Sequence, residues 1–409
     1  MRILAFAQYY PPEIAANGIR LHGLLRALAE RGHQVTVLTA VPNYPQRKIY
    51  PGYEKKRLEV LDGVIVKRHN LYLSSSTGLL SRFLTYFTLM VAILFRAFRE
   101  KRPDVVIAPS PPLFSALAAW IWSYLFRVPF ILDLQDLWPE SIQALNLKTP
   151  SLFLSLASFV ARRIYRKARR ITTVAQGIKT YLVEKMRVSP GKVKVIYNSL
   201  DLFPKGKPPE LPLKIKEELG LTGKFVVLYA GNLGLAQNPI TLVEAAEFLR
   251  EKQDIFFLIL GGGVEEERLR RIVKEKGLQN FRLLGPVPRE KLPRFYTASD
   301  IGVVLLRDTP LFDSALPTKL FEYWSHALPV VAGVRGEARD LIVRAQGGLV
   351  FPPESAHGLA EAILMLKENQ ALREDLGRNG LSQVERTFNG KVQSITFVQL
   401  VEEAGSAED

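Results

Sequence analysis

Two series of short apolar strands alternating with amphipathic helices, separated by a single break, constrain the fold of this chain more than any other feature. Ile3 to Ala7 reads as a buried strand. Leu21, Leu24, Leu25 and Leu28 then recur at helical spacing until Gly32, and Val35 to Thr39 forms the next strand. Further strands are predicted at 64–67, 105–108, 130–133, 171–174 and 193–197. Residues 201–223 interrupt the pattern with Pro204, Pro208, Pro209 and Pro212 among glycines and lysines, the composition of a linker. Strands resume at 225–229, 255–260, 281–284, 301–305, 329–332 and 348–351, with helices such as 240–250 between them. This alternation predicts two doubly wound, Rossmann-like α/β domains, 1–205 and 206–384, each binding ligands at the carboxyl ends of its strands. A helix near 385–402 is expected to pack back on the first domain, and Glu402 to Asp409 to form a frayed tail.

With 409 residues and 47% hydrophobic content, the chain can bury two full cores. It contains no cysteine, which excludes disulfides, thiolate nucleophiles and cysteine metal sites. The five histidines have no metal-ligand spacing and no Asp-x-Asp pair occurs, so no metal is expected.

The charge is lopsided. Residues 1–205 hold 30 Lys and Arg against 12 Asp and Glu, whereas the remainder is slightly acidic within a total of +15. The cations flank apolar runs. Phe83 to Phe95 lies between Arg82 and Arg96, and Ser151 to Val160 leads into Arg162, Arg163, Arg166 and Lys167. Neither run reaches the roughly 18 to 20 residues that span a bilayer. One reading is core helices with a solvated basic rim. The other is shallow docking on an anionic membrane face, where apolar area and cations act together. The second is taken forward, and no nucleic-acid module accompanies the basic residues.

The strand ends carry an ordered set of motifs. Tyr9-Tyr10-Pro11-Pro12-Glu13, Leu28 to Thr39 and Asp136-Leu137-Trp138-Pro139-Glu140 lie in the first half. Val195 to Asp201, Tyr229-Ala230-Gly231-Asn232, Leu260-Gly261-Gly262-Gly263, Leu284 to Pro288 and Leu316-Pro317-Thr318-Lys319-Leu320-Phe321-Glu322 follow. Together they resemble the retaining glycosyltransferases of family 4, which have the GT-B fold of two Rossmann-like domains facing a central cleft. They are most similar to the bacterial branch that includes L-fucosaminyltransferase-like enzymes of surface polysaccharide assembly.

That resemblance implies a donor site at Gly231, Asn232, Gly261, Val287, Ser314, Pro317, Thr318, Lys319 and Glu322, with Asn17 and Gly18 of the Glu13–Gly18 loop facing the donor phosphates, although Asn17-Gly18 reads equally as a turn and helix start. Glu322 matches the second Glu of the family's paired-Glu pattern, where the carboxylate accepts hydrogen bonds from the nucleotide ribose. Ser314 stands where the first Glu would be. The Arg and Lys that the family places in the loop after the first strand of the second domain are absent from 231–239. Lys319, the helix start at Thr318 and the backbone N–H groups of 14–18 are therefore expected to meet the diphosphate. Lys319, Glu322 and Asp136 are the expected catalytic set. Trp138, Glu140, Arg82, Arg96, Arg162, Arg163, Arg166 and Lys167 are expected to serve the acceptor or the membrane. The implied reaction moves a sugar, an N-acetyl amino sugar being one candidate, from a UDP-sugar to a polyprenyl-linked or other saccharide. It would retain configuration, need no cofactor and take place at the cytoplasmic face of the inner membrane. Two alternatives stay open: a UDP-sugar 2-epimerase, and a non-catalytic nucleotide-sugar-binding scaffold.

Overall fold

The computed structural model describes residues 1–13, 15–44, 46–73, 79–138, 151–198 and 212–406. The chain forms two compact units, Met1–Asn198 with Gly390–Asp409, and Ser199–Asn389.

The first unit is built on an eight-stranded sheet: β1 (Arg2–Phe6), β2 (Gln34–Ala40), β3 (Leu58–Leu61), β4 (Val64–His69), β5 (Val105–Ser110), β6 (Phe130–Leu134), β7 (Arg170–Thr173) and β8 (Val193–Val195). Their spatial order is β3-β4-β2-β1-β5-β6-β7-β8. Ile3 of β1 pairs with Val35 on one side and Val105 on the other, so the direction of winding switches at β1. Among the described residues the helices of this series are α1 (Ala16–Glu30), α2 (Leu79–Ala97), α3 (Leu113–Phe126), α4 (Ser151–Lys167) and α5 (Gln176–Glu184). The leucine stripe of α1 is buried against β1 and β2.

The strand β3 is absent from the sequence prediction, and it is the one antiparallel member of the sheet, pairing Leu58 with Lys67. Its apolar residues point the wrong way for a pattern reading. Leu58 and Val60 are 62% and 65% exposed, whereas Glu59 turns inward to Arg68 and Lys56.

The second unit contains β9 (Phe225–Ala230), β10 (Ile255–Leu260), β11 (Phe281–Gly285), β12 (Ile301–Leu305), β13 (Val330–Gly333) and β14 (Gly348–Phe351), all parallel, in the order β11-β10-β9-β12-β13-β14. Its helices are α6 (Pro212–Glu218), α7 (Ile240–Phe248), α8 (Glu266–Glu275), α9 (Leu292–Thr297), α10 (Thr318–Trp324), α11 (Gly336–Ala345), α12 (Ala356–Glu368) and α13 (Gln370–Thr387). Here the winding switches at β9. β9, β10 and β12 are buried along their whole length, as expected for a sheet covered on both faces.

The last helix, α14 (Gly390–Ser406), belongs to the first unit, where Phe397, Leu400, Val401 and Ala404 join the core of β1 and α1. The expected frayed tail is corrected as far as Ser406. Glu402 accepts a hydrogen bond from His33 at 3.0 Å and pairs with Arg31, and both contacts hold the helix end in place.

Candidate functional site

At the switch point of the second sheet, three loops cross at close range. Gly231 donates its N–H to Leu260, Gly261 to Gly285, and Leu233 to Gly262, at 2.8, 2.8 and 2.9 Å. A Cβ on Gly261 would lie 1.8 Å from the Gly231 carbonyl oxygen, and Gly261 has φ +133°, so no other residue fits there. The glycines at this edge thus let backbone approach backbone, which brings the ends of β9, β10 and β11 into one surface.

The seven-residue helix α10 begins at Thr318 after Pro317, which has the extended backbone of a cap. One face, Leu320, Phe321 and Trp324, is buried. Gly347 and Gly380 leave room for the Trp324 indole, and its N–H is donated to the Gly347 carbonyl at 2.8 Å. The i, i+3, i+4 set Lys319, Glu322 and buried Tyr323 lies apart from these: Lys319 and Tyr323 reach the end of β9, whereas Glu322 reaches Tyr296 and Arg289. Tyr323 accepts the Ala230 N–H at 2.8 Å and so registers the helix against β9.

Lys319 and Glu322 take different partners. The Lys319 Nζ is buried, has no hydrogen-bond partner among the described residues, and sits 3.6 Å from the centroid of the Tyr229 ring. Its position above Gly231 is close enough that a Cβ there would be 2.8 Å away. Burial lowers its pKa from 10.5 to about 7, against the opposing attraction of Glu322. Glu322 accepts a hydrogen bond from the Tyr296 hydroxyl at 2.9 Å and one from Arg289 at 3.4 Å. His326 caps the same turn, with Nδ1 2.9 Å from the Glu322 carbonyl oxygen, and its ring lies against Tyr296. Burial lowers the His326 pKa, which favours the neutral ring.

Gly231, Gly261, Lys319 and Glu322 are therefore brought to one strand edge, and Asn232 follows directly, its carbonyl accepting from Tyr229. Val287 is half-buried in the loop after β11, and Ser314 ends the short turn Pro310–Ser314 before α10. The loop 231–239 carries no cation of its own, but the Lys319 ammonium occupies the space above it. Sequence reasoning missed Arg289 and Tyr296, which hold Glu322. Arg289 directly follows the Leu284–Pro288 motif already noted, but nothing local links it to a residue 33 positions later.

In the first unit, Gly18 needs correction. It lies inside the first turn of α1, as the helix-start reading has it and not in the Glu13–Gly18 loop, and it packs where a Cβ would be 2.9 Å from the Tyr9 carbonyl oxygen. Its N–H is donated to the Asn17 side chain, whose amide donates to the Pro111 carbonyl at 3.0 Å. Glu13 is buried and accepts the N–H groups of Asn43, Tyr44 and Tyr10, so it ties together the loops after β1 and β2. Asp136 is exposed after β6 and accepts the Leu137 N–H, while Trp138 is half-buried edge-on to Phe153. Arg162, Arg163, Arg166 and Lys167 are exposed on α4, and Arg96 pairs with Glu100. Glu140, Ile14 and the Arg82 side chain lie outside the described residues.

Comparison with known proteins decides the family. Residues 18–199 match the glycosyl transferase 4-like domain and residues 213–383 match the glycosyl transferases group 1 domain. This chain is a family 4 glycosyltransferase. The glycosyltransferase is 25% identical over 406 residues to the putative colanic acid biosynthesis glycosyl transferase WcaI of Escherichia coli K12, covering 91% of this chain and 95% of WcaI. A 126-residue stretch is 32% identical to the N-acetylgalactosamine-N,N'-diacetylbacillosaminyl-diphospho-undecaprenol 4-alpha-N-acetylgalactosaminyltransferase of Campylobacter jejuni, covering 31% of this chain and 32% of that one. Among solved structures, HepE of Anabaena in complex with UDP superposes with a TM-score of 0.74 at 17% identity, covering 98% of this chain and 100% of HepE. The two parallel-sheet units have the GT-B fold.

Proposed function

We propose that this glycosyltransferase moves a sugar from a UDP-sugar to a polyprenyl-linked saccharide during assembly of a surface polysaccharide. The observation that carries the donor side is the Lys319 ammonium, buried without a hydrogen-bond partner above Gly231 at the switch point of the second sheet. A diphosphate placed there would supply the partner that the protein withholds, and the ammonium would offset charge developing on the leaving group. Glu322, oriented by Tyr296 and Arg289, is placed to accept the ribose hydroxyls. The acceptor side is supported by the likeness to the C. jejuni transferase, whose name specifies a diphospho-undecaprenol acceptor. WcaI points to polysaccharide assembly and the HepE complex to UDP.

In the proposed reaction, the bond from the anomeric carbon to the UDP oxygen breaks and the acceptor hydroxyl bonds from the same face. Its proton passes to the departing phosphate, so configuration is retained without an enzymic nucleophile. The scaffold alternative rested on the cation-free loop 231–239, and the position of Lys319 weighs against it.

A thermal-shift series with UDP, GDP, dTDP and ADP tests the donor site. At saturating ligand, about 100 times Kd, binding stabilises by about 2.7 kcal/mol, a rise of several degrees. The expected result is a UDP-selective rise that Glu322→Ala loses. An equal rise in the variant would remove Glu322 from the site, and no rise with any nucleotide would overturn the donor reading.

Membrane docking belongs to the same proposal. Among the described residues no helix is long and apolar enough to cross a membrane. α4 instead presents Leu152, Leu156 and Phe159 on the exposed stripe that continues into Arg162, Arg163, Arg166 and Lys167. Each cation near an anionic surface contributes about 1 kcal/mol. Reversing all four charges is expected to weaken flotation with anionic vesicles by at least tenfold and to leave binding to neutral vesicles unchanged. Undiminished flotation would sink the docking face.

A further inference from the structure

Between α2, α3 and α4 the first unit holds a groove of about 220 Å³ that the donor site does not use. Phe83, Phe87, Phe114, Phe153, Leu156 and Trp138 line it, and its other walls among the described residues are apolar as well. A nucleotide, a sugar or a peptide backbone placed there would lose its hydrogen bonds to water and gain none from the walls. A hydrocarbon chain loses nothing and buries apolar surface.

The groove connects with the carboxyl end of the sheet. An aromatic line starts at Tyr44 and Tyr9, in the loops after β2 and β1, whose rings lie 5.1 Å apart. The Tyr9 and Tyr86 phenols are neighbours, and the Tyr86 ring lies 5.9 Å from Phe114. Phe114 meets Phe83 at 5.6 Å, and Phe83 stacks on Phe87 at 5.8 Å. Trp138, two residues beyond Asp136, closes the other wall against Phe153. The line is phenolic at the strand ends and purely hydrocarbon in the groove. That gradient matches a ligand with a polar head and one long apolar tail.

We propose that this groove is the binding site for the isoprenoid chain of the acceptor, whose polar end lies over Tyr9 and Tyr44. The assignment rests on the lipid-linked acceptor proposed above. A bilayer lipid would need only the outward stripe of α4, which carries its own cations. The groove opens beside that stripe, with Leu156 on the border of both, and Trp138 in its wall stands two residues from Asp136 at the end of the sheet.

Isothermal calorimetry on the full chain tests the assignment, with farnesyl phosphate, tetradecyl phosphate and inorganic phosphate as probes. Farnesyl phosphate is expected to bind at least tenfold more tightly than tetradecyl phosphate, and inorganic phosphate not to bind measurably. Leu117→Trp, which fills the groove from α3, and Phe87→Ser, which makes its mouth polar, are each expected to weaken farnesyl phosphate at least tenfold and to keep the UDP thermal shift. An unchanged near-UV circular dichroism spectrum and wild-type protection of the β5 and β6 amides in hydrogen exchange show that the first unit of each variant is folded, and the retained UDP shift, which reports the second unit, keeps the donor reading separate. Equal binding of the two tailed probes would overturn the isoprenoid assignment, as would farnesyl phosphate binding that neither variant weakens. If farnesyl phosphate binds as proposed but undecaprenyl-linked saccharides are never glycosylated, the acceptor reading fails by itself.

Discussion

Replacing Lys319 with methionine is expected to lower kcat/KM for sugar transfer by about 10²- to 10³-fold and at the same time to make the protein more stable. The loss follows from removing a preorganised cation at the leaving group, which costs about that factor where single donors have been removed from such sites. The gain in stability follows from burial. Folding takes Nζ from water to a place above the Tyr229 ring with no hydrogen-bond acceptor among the described residues, and its pKa falls to about 7. The unfolded chain, with an ordinary lysine, holds a proton between pH 7 and 10.5 that the folded protein has released. This group's contribution to stability therefore rises with pH across that window and is least favourable below pH 7, where the folded protein carries the buried charge. Methionine removes the penalty and should raise Tm at pH 7 by several degrees while flattening this pH dependence.

The activity profile has the opposite sense. If the protonated amine meets the diphosphate, kcat/KM, which reports the free enzyme, should fall as pH rises through about 7. The kcat limb should lie higher, because a bound diphosphate raises the lysine pKa again. A Lys319→Met protein with full activity would eliminate the site. One that is inactive but no more stable than wild type would show that the lysine carries no buried charge in the free protein.

Lys319 and Glu322 were singled out through the resemblance of the Leu316–Glu322 segment to the family's donor helix, and their shared face was legible because a helix start is local and is set here by Pro317, Thr318 and the apolar residues of α10. The strands were legible for a similar reason. Runs such as Phe225–Ala230 and Ile255–Leu260 are buried on both faces and leave a continuous apolar signal. What escaped depends on distant partners or on reversed exposure. Tyr296 reaches Glu322 from 26 positions away, and no periodicity marks that contact. β3 shows its apolar side chains to solvent and its Glu59 to Arg68, so a pattern that reads hydrophobic residues as inward misses it. Gly18 was legible as either a phosphate-facing turn or a helix start, but the contact that demands a glycine there, the Tyr9 backbone, was not legible.

The network around Asp133 also escaped the sequence, and its loss is expected to be the most destabilising single change in the first unit. Asp133 on β6 and Arg20 on α1 are 113 positions apart and both are almost completely buried. Arg20 meets the carboxylate through Nε and Nη2 at 3.0 to 3.2 Å, Thr172 donates to Oδ1 at 2.7 Å, and Gln135 donates to Oδ2 at 2.8 Å. The remaining Arg20 nitrogen donates to the Tyr197 carbonyl and the Asn198 side chain, at the end of the first of the two segments that make up the first unit. The network thus ties α1, β6, β7 and the segment after β8 together, and it holds Gln135 next to Asp136. Asp133→Ala leaves a buried guanidinium without its counter-charge, a change that costs about 3 to 5 kcal/mol. The double variant Asp133→Leu, Arg20→Met removes both charges and should cost much less than the two single changes together. Urea unfolding, with hydrogen exchange read at the β6 amides, separates these cases. Equal and additive losses would mean that the two residues act independently. A large loss for either single variant that the double variant recovers is the result expected of a buried pair, whose charges are tolerated only together.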